Sequence, residues 1–166
     1  TFDVTLGTSP VLFGDTVILF CAMAKPEDSR VVAWRKGTGE AAWERKLPGV
    51  GFGHSTPVIV DVEGKPQMLV LASGASVAPD ALQALDPSSG ERLWWCRGSG
   101  DAASPAFGGG LVYFDSGRWG PGTAVAAGGS GDVSDSRVRW TVGEVPEAIG
   151  SPVIVGEHVY RLHAPG

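Results

Sequence analysis

Few residues in this 166-residue chain have the types and spacing that catalysis requires. Of the three histidines, His54 lies in a glycine-rich stretch and is the one that we expect near a binding face. No GxSxG or HExxH motif accompanies it, so we predict neither a histidine-activated serine nucleophile nor a zinc protease site. Cys21 and Cys96 lie far apart and outside any CxxC pair, which argues against a zinc site. Both are predicted to be buried, and the sequence leaves open whether they are bonded to each other.

The composition excludes several other classes of function. The chain has 13 basic and 18 acidic residues, a net charge of −5, and no basic stripe of the kind that contacts phosphates, so we predict no nucleic-acid binding. No apolar run approaches the length of about 20 residues that spans a membrane. The first ten residues have no basic start and no long apolar core, so we predict no signal peptide in this chain.

A regular repeat dominates the sequence. Short apolar segments follow Pro10, Pro57, Pro105 and Pro152, and these prolines are 47, 48 and 47 residues apart. A period this steady is typical of repeated supersecondary units. The 25 glycines and 12 prolines favour short strands joined by turns.

Each unit contains the pattern of four antiparallel strands. Two apolar strands joined by a glycine turn follow the proline, then a third strand, a polar turn and a fourth strand that is predicted to end on tryptophan. In two units a glycine of the polar turn precedes the tryptophan by four residues, as Gly39 precedes Trp43 and Gly90 precedes Trp94. Trp140 takes the equivalent place in the third unit, after an expanded turn. One such ring per repeat indicates core packing.

At these residues the chain resembles the pyrroloquinoline-quinone-type β-propellers. The stretch ALDPSSGERLW has the Ala-x-Asp, the turn ending in Gly and the Trp four residues on that are typical of that repeat. Unit one departs from it, because Arg35 stands where unit two has Asp86, and unit three also lacks the Asp. The resemblance implies an all-β propeller of four-stranded blades, and outer-membrane assembly lipoprotein-like members are the most similar in pattern.

Counting strands gives about three and a half blades in a single domain, 1–166. The units cover about 9–55, 56–103 and 104–150, with a half unit at 151–166, and residues 1–6 offer one strand of a shared blade. Because open sheet edges are avoided, three arrangements remain. The chain is part of a longer propeller, or its ends meet in a four-bladed ring, or two chains form an eight-bladed homodimer about a two-fold axis, which we favour over the four-bladed ring.

The resemblance implies two branches of function. Quinone-dependent dehydrogenases hold their cofactor beside calcium and commonly a vicinal disulfide. This chain has no adjacent cysteines, no asparagine and no carboxylate cluster suited to calcium, so we predict no cofactor, no metal and no catalytic residues. The other branch is a non-catalytic scaffold, which we favour. A third class, a small-molecule or carbohydrate-binding propeller that uses its central channel, stays open.

Loops on one face of the predicted propeller are the candidate binding region. They include Phe52, His54, Arg118 and Trp119. An arginine beside a tryptophan in a glycine-rich loop suits a protein-binding hot spot. We therefore predict a scaffold for protein–protein interaction, with a protein or a second copy as partner, and the resemblance implies a periplasmic or cell-envelope location.

Overall fold

The structure consists of antiparallel sheets arranged in chain order. A computed structural model describes residues 7–51, 53–72 and 77–162. Three units of four antiparallel strands follow one another, and we call them blades 1 to 3; a further, two-residue strand joins the sheet of blade 2, and the last two strands form a half-blade, called blade 4. The strands are β1 (Val11–Phe13), β2 (Thr16–Cys21), β3 (Arg30–Arg35), β4 (Ala41–Lys46), β5 (Val58–Val62), β6 (Lys65–Leu71), β7 (Val77–Leu85), β8 (Arg92–Ser99), β9 (Ala106–Gly108), β10 (Leu111–Phe114), β11 (Gly122–Ala126), β12 (Gly131–Asp132), β13 (Val138–Val142), β14 (Val153–Val155) and β15 (His158–Tyr160).

The all-β fold of four-stranded blades is confirmed. Blade 1 is β1–β4, blade 2 is β5–β8, blade 3 is β9, β10, β11 and β13, and each strand pairs with its neighbour in the unit. A short 3-10 helix, Pro26–Asp28, interrupts the loop between β2 and β3. The predicted strand of residues 1–6 lies outside the described residues.

Alternating side chains of the central strands bury both faces of blade 2. On β6, Met68 and Val70 pack with Ile18 and Phe20 of blade 1. Leu69 and Leu71 lie on the opposite face of β6, and they pack with Phe114 and other residues of blade 3. A strand covered on both sides needs apolar residues at successive positions, which explains the continuous run MLVL. The core is therefore made of layers between blades.

The polar turn between the third and fourth strands has the same backbone hydrogen bond and the same glycine conformation in blades 1 and 2. In 35–40 and in 86–91 the amide of the first residue donates to the carbonyl of the last at 2.8 Å. Gly39 and Gly90 both adopt a positive φ, 73° and 74°, which favours glycine. Asp86 adds a side-chain bond from the Ser88 amide, at 2.7 Å. Arg35 keeps the turn without that bond, so the Asp is dispensable for the turn geometry.

Two features differ from the sequence expectations. The fourth strands do not end on tryptophan: Trp43 lies in the middle of β4, and Trp94 in the first half of β8. The expanded turn of blade 3 also contains a strand, because β12 leaves its own blade and pairs in parallel with β8 of blade 2. No local apolar pattern marks a two-residue strand of Gly and Asp, so this pairing could not be predicted from periodicity.

Candidate functional site

A ladder of hydroxyl groups aligns the beginnings of the four units. The residue just before each repeat proline is Ser9, Thr56, Ser104 or Ser151. The amide of each of the first three donates to the hydroxyl oxygen of the next, at 3.0 Å in every case. The loops that precede these residues are therefore held at the same height in successive blades, and they carry the first candidate residues.

His54 and Arg118 meet at one carboxylate. His54 Nδ1 lies 3.2 Å from Asp101 Oδ1, and Arg118 Nε lies 2.6 Å from Asp101 Oδ2. The Asp101 side chain is 1 % exposed, and its backbone carbonyl accepts from the amides of His54 and Ser55, at 2.7 and 3.0 Å. A buried carboxylate needs such partners. The contact links the loop before blade 2, the loop before blade 3 and the β10–β11 loop of blade 3.

A second buried carboxylate, Asp115, also pairs with an arginine from a different loop. Arg161 Nε lies 2.7 Å from Asp115 Oδ2, and the Gly117 amide donates to Asp115 Oδ1 at 2.6 Å. Asp115 follows β10 and Arg161 follows β15, so the pair joins blade 3 to blade 4. Burial and the Asp115 carboxylate raise the pKa of the nearby Tyr113 hydroxyl, which keeps that phenol protonated.

Trp119 and Phe52 are the other two candidate residues of the loop face. Trp119 lies in the loop that contains Arg118, its amide donates to Ser116 Oγ at 2.9 Å, and its side chain is about half exposed. Phe52 lies outside the described residues. The structure thus brings His54 and Arg118 together at Asp101, and Trp119 follows Arg118 in the chain.

Asp101 is the residue that sequence reasoning missed. The sequence analysis finds no motif around His54 that names a partner for it, and Asp101 lies 47 residues on, which is one repeat period. The period itself was the available signal: residues one unit apart occupy adjacent loops. Comparing charged residues at equivalent places of successive units would have found this pair.

The tryptophans of the repeat have different environments. Trp43 lies against the polar turn of the following blade: its Nε1 donates to Pro87 O at 3.2 Å, and a Cβ on Gly90 would come within 2.5 Å of its ring. Trp94 is completely buried, and its Nε1 donates to Gln67 Oε1 at 2.8 Å. Trp140 departs from the expected core packing at 41 % exposure, since no outer strands of blade 4 cover it within the described residues.

The groups that could supply chemistry are sparse. Both cysteines are free and buried, and burial raises the pKa of Cys96 to about 11, so its thiol is protonated and a poor nucleophile. Within 7–51, 53–72 and 77–162, no three His, Cys, Asp or Glu side chains form a group that could hold a metal ion. No helix in this part of the chain has the length and apolar character to cross a membrane. The arrangement is suited to joining blades and exposing loops.

Three four-stranded blades, a half-blade and a tryptophan against the next turn define a partial β-propeller of the quinone-type repeat. The family model described as outer membrane protein assembly factor BamB matches residues 2–140, and the chain belongs to this family.

Solved structures have the same fold. BamB from Moraxella catarrhalis superposes with a TM-score of 0.61 at 14 % identity, over 95 % of this chain and 45 % of that one. A europium-containing methanol dehydrogenase gives a TM-score of 0.52 at 15 % identity, over 86 % of this chain and 26 % of that one. The chain therefore spans less than half the length of either. Comparison with curated protein sequences finds no match.

Proposed function

We propose that the protein is a non-catalytic scaffold that presents its loop face to another protein during outer-membrane assembly, in the periplasm or cell envelope. The observation that carries this proposal is the Arg118–Trp119 loop. Asp101 anchors Arg118 from a buried position, so the neighbouring Trp119 is held half exposed on a fixed support. Tryptophan and arginine are both enriched among the residues that dominate binding energy at protein interfaces.

Photo-crosslinking in intact cell envelopes tests this function. A photoreactive amino acid replaces Trp119 in one variant and Glu40 in a control, because Glu40 is exposed but lies in the polar turn of blade 1. We expect one discrete crosslinked product at position 119, belonging to the outer-membrane assembly machinery, and none at position 40. Equal or absent crosslinking at both positions would refute a specific role for this loop.

A second copy is the partner that we propose for the open side of blade 4. The outward face of this half-blade exposes Val153, Val155 and Tyr160, each more than half accessible. The hydroxyl ladder stops with the Ser151 amide at this side and the Ser9 hydroxyl at the other, among the described residues. Two chains joined head to tail would continue the ladder, with residues 1–6 of one copy adding a strand to the shared blade of the other.

Light scattering measures this assembly directly. We expect a particle of twice the chain mass of 17.2 kDa, and a shift to the single-chain mass when Val155 is replaced by Asp. The control is Val77→Asp, because Val77 has a similar exposure but lies on β7 of blade 2. A compact single chain for the unsubstituted protein would contradict the two-copy ring.

A further inference from the structure

A cavity lies between blades 1 and 2, and most of the side chains that line it are polar or charged. Its volume is about 310 Å³, and its walls come from the end of β4, the middle of β7 and the beginning of β8. Arg45 and Lys46 line it from blade 1. Asp80, Gln83 and Arg92 line it from blade 2.

The cavity has an excess of positive charge. Three cationic side chains line it, and Asp80 is the one carboxylate among the lining residues. Asp80 is already engaged, because Arg92 Nη1 lies 3.0 Å from its Oδ2. Arg45 reaches the Gly90 carbonyl at 3.4 Å, at the long end of hydrogen-bonding distance. Burial, and then the charge of Arg92, lower the pKa of Arg45, although Glu91 acts in the opposite direction.

Two buried polar atoms of these walls lack partners. Gln83 is 3 % exposed, and its Oε1 accepts no hydrogen bond from the described residues. Its Nε2 donates to Asp80 Oδ2 at 3.4 Å, and this carboxylate fixes the orientation of the amide because it accepts and does not donate. Arg45 Nε is also buried without an acceptor in the described part of the chain. Water does not reach either atom, so a ligand contacts them only after small rotations of the two side chains towards the cavity. Buried polar groups are generally satisfied, and a ligand that accepts from Arg45 and donates to Gln83 would then satisfy both.

We propose that this cavity binds a carboxylate that has an N–H donor beside it, as in an acidic peptide segment. The carboxylate pairs with Arg45 and Lys46, and the neighbouring amide donates to Gln83 Oε1. A monoanion fits better than a phosphate dianion because Asp80 in the wall repels additional negative charge. The site is separate from the Trp119 loop, so its test is independent of the scaffold proposal.

Calorimetric titration of the full chain with small probes tests the chemistry. The probes are N-acetyl-aspartate N-methylamide, its asparagine counterpart, which lacks the charge, and acetate, which lacks the donor. We expect the aspartate probe to bind at least about tenfold more tightly than either, since charge-assisted hydrogen bonds are the stronger ones. Equal binding of the three probes, or no binding of the aspartate probe, would overturn the proposal.

Variants locate the site. Arg45→Gln is expected to weaken binding of the aspartate probe by about tenfold to a hundredfold. Arg35→Gln removes the same charge from the neighbouring strand of blade 1, outside the cavity, and is expected to leave binding unchanged. In the nuclear magnetic resonance spectrum the Gln83 side-chain amide should shift on titration. Equal affinities of the two variants, or an unmoved Gln83 amide, would place the ligand elsewhere and refute the assignment.

A longer probe identifies the source of the carboxylate. An acetylated tetrapeptide with one central Asp is compared with free N-acetyl-aspartic acid. Tighter binding of the tetrapeptide supports a peptide ligand, because its backbone extends along the groove between the blades. Tighter binding of the free acid would overturn the peptide assignment.

Discussion

Replacing Gly90 with Ala tests whether the tryptophan of one blade is packed tightly on the turn of the next. Gly90 has a φ of 74°, and an added Cβ would lie 2.5 and 2.8 Å from two atoms of the Trp43 ring. The left-handed conformation costs an alanine about 1 kcal/mol or more. Forcing a methyl group into a packed contact adds about 1–3 kcal/mol. We therefore expect Gly90→Ala to lower the free energy of unfolding by about 2–4 kcal/mol.

The chain contains a matched control for this substitution. Gly39 occupies the same turn position in blade 1 with a φ of 73°, but an added Cβ there meets nothing within 4 Å. Gly39→Ala should therefore show only the conformational penalty of about 1 kcal/mol. Replacing glycine with alanine also lowers the conformational entropy of the unfolded chain, which stabilises the protein. This effect is the same in both variants, so it cancels in the difference between their free energies of unfolding.

Equilibrium unfolding in urea, followed by circular dichroism, measures both variants. The difference between them isolates contact with the Trp43 ring. In a Trp43→Leu background Gly90→Ala should cost less stability than it does in the unsubstituted protein, since the smaller side chain leaves room for the methyl group. Equal destabilisation by Gly90→Ala and Gly39→Ala would refute the reasoning, because the ring would then move aside freely.

The remaining predictions concern buried charges and thiols. Arg161→Met should destabilise the protein by about 3 kcal/mol in thermal or urea unfolding, because it leaves the buried Asp115 carboxylate without its cation. Burial raises the pKa of Cys96 from 9.0 to about 11, so the folded state favours the protonated thiol. This contribution to the free energy of unfolding is fully present below pH 9 and is lost as the pH rises through 11. Urea unfolding at a series of pH values measures the loss. Ser134→Ala should raise the pKa of Asp132 towards its ordinary value in a carboxyl titration by nuclear magnetic resonance, because it removes the hydrogen bond from the Ser134 hydroxyl and leaves the bond from the backbone amide.

Each of these three expectations has a control. Arg35→Met breaks an ion pair in which both side chains are more than half exposed, so it should change stability by less than about 1 kcal/mol. Cys96→Ala should remove part of the alkaline loss of stability, and an unchanged pH dependence would contradict the assignment. Ser88 lies in the polar turn of blade 2, where its amide donates to Asp86, so Ser88→Ala should leave the Asp132 titration as it is in the unsubstituted protein.

The repeated blades could be predicted from the sequence because each strand and turn needs particular residue types at regular intervals. Strands buried on both faces need apolar runs, and the turns before the fourth strands need a residue that tolerates positive φ, as Gly39 and Gly90 do. These demands recur at a constant interval, so the blades were predicted from sequence. Trp140 was predicted as a core residue by the same logic, and its exposure could not be inferred because it depends on what the next blade contributes.

Only part of the candidate site could be predicted from the sequence. Arg118 and Trp119 stood out as a pair of residue types in a glycine-rich loop, but Asp101 sits in a small polar segment with no distinctive pattern. Its role depends on burial and on two partners from other loops, at 2.6 and 3.2 Å. Such a contact is a property of the assembled blades, and a single sequence shows it only through the repeat period.

The strand β12 makes the junctions between the blades unequal. Among the described strands it is the one that pairs with a different blade, and the Val133 amide extends the link by donating to Trp95 O at 2.9 Å. In an array where each repeat contacts its neighbours, stability is a sum of unit and interface terms. The backbone bonds of β12 therefore add a term to the junction between blades 2 and 3 that the side-chain core shared by blades 1 and 2 does not have. We expect amide hydrogen exchange in this part of β8 to slow down because of β12, over and above the protection that side-chain packing gives.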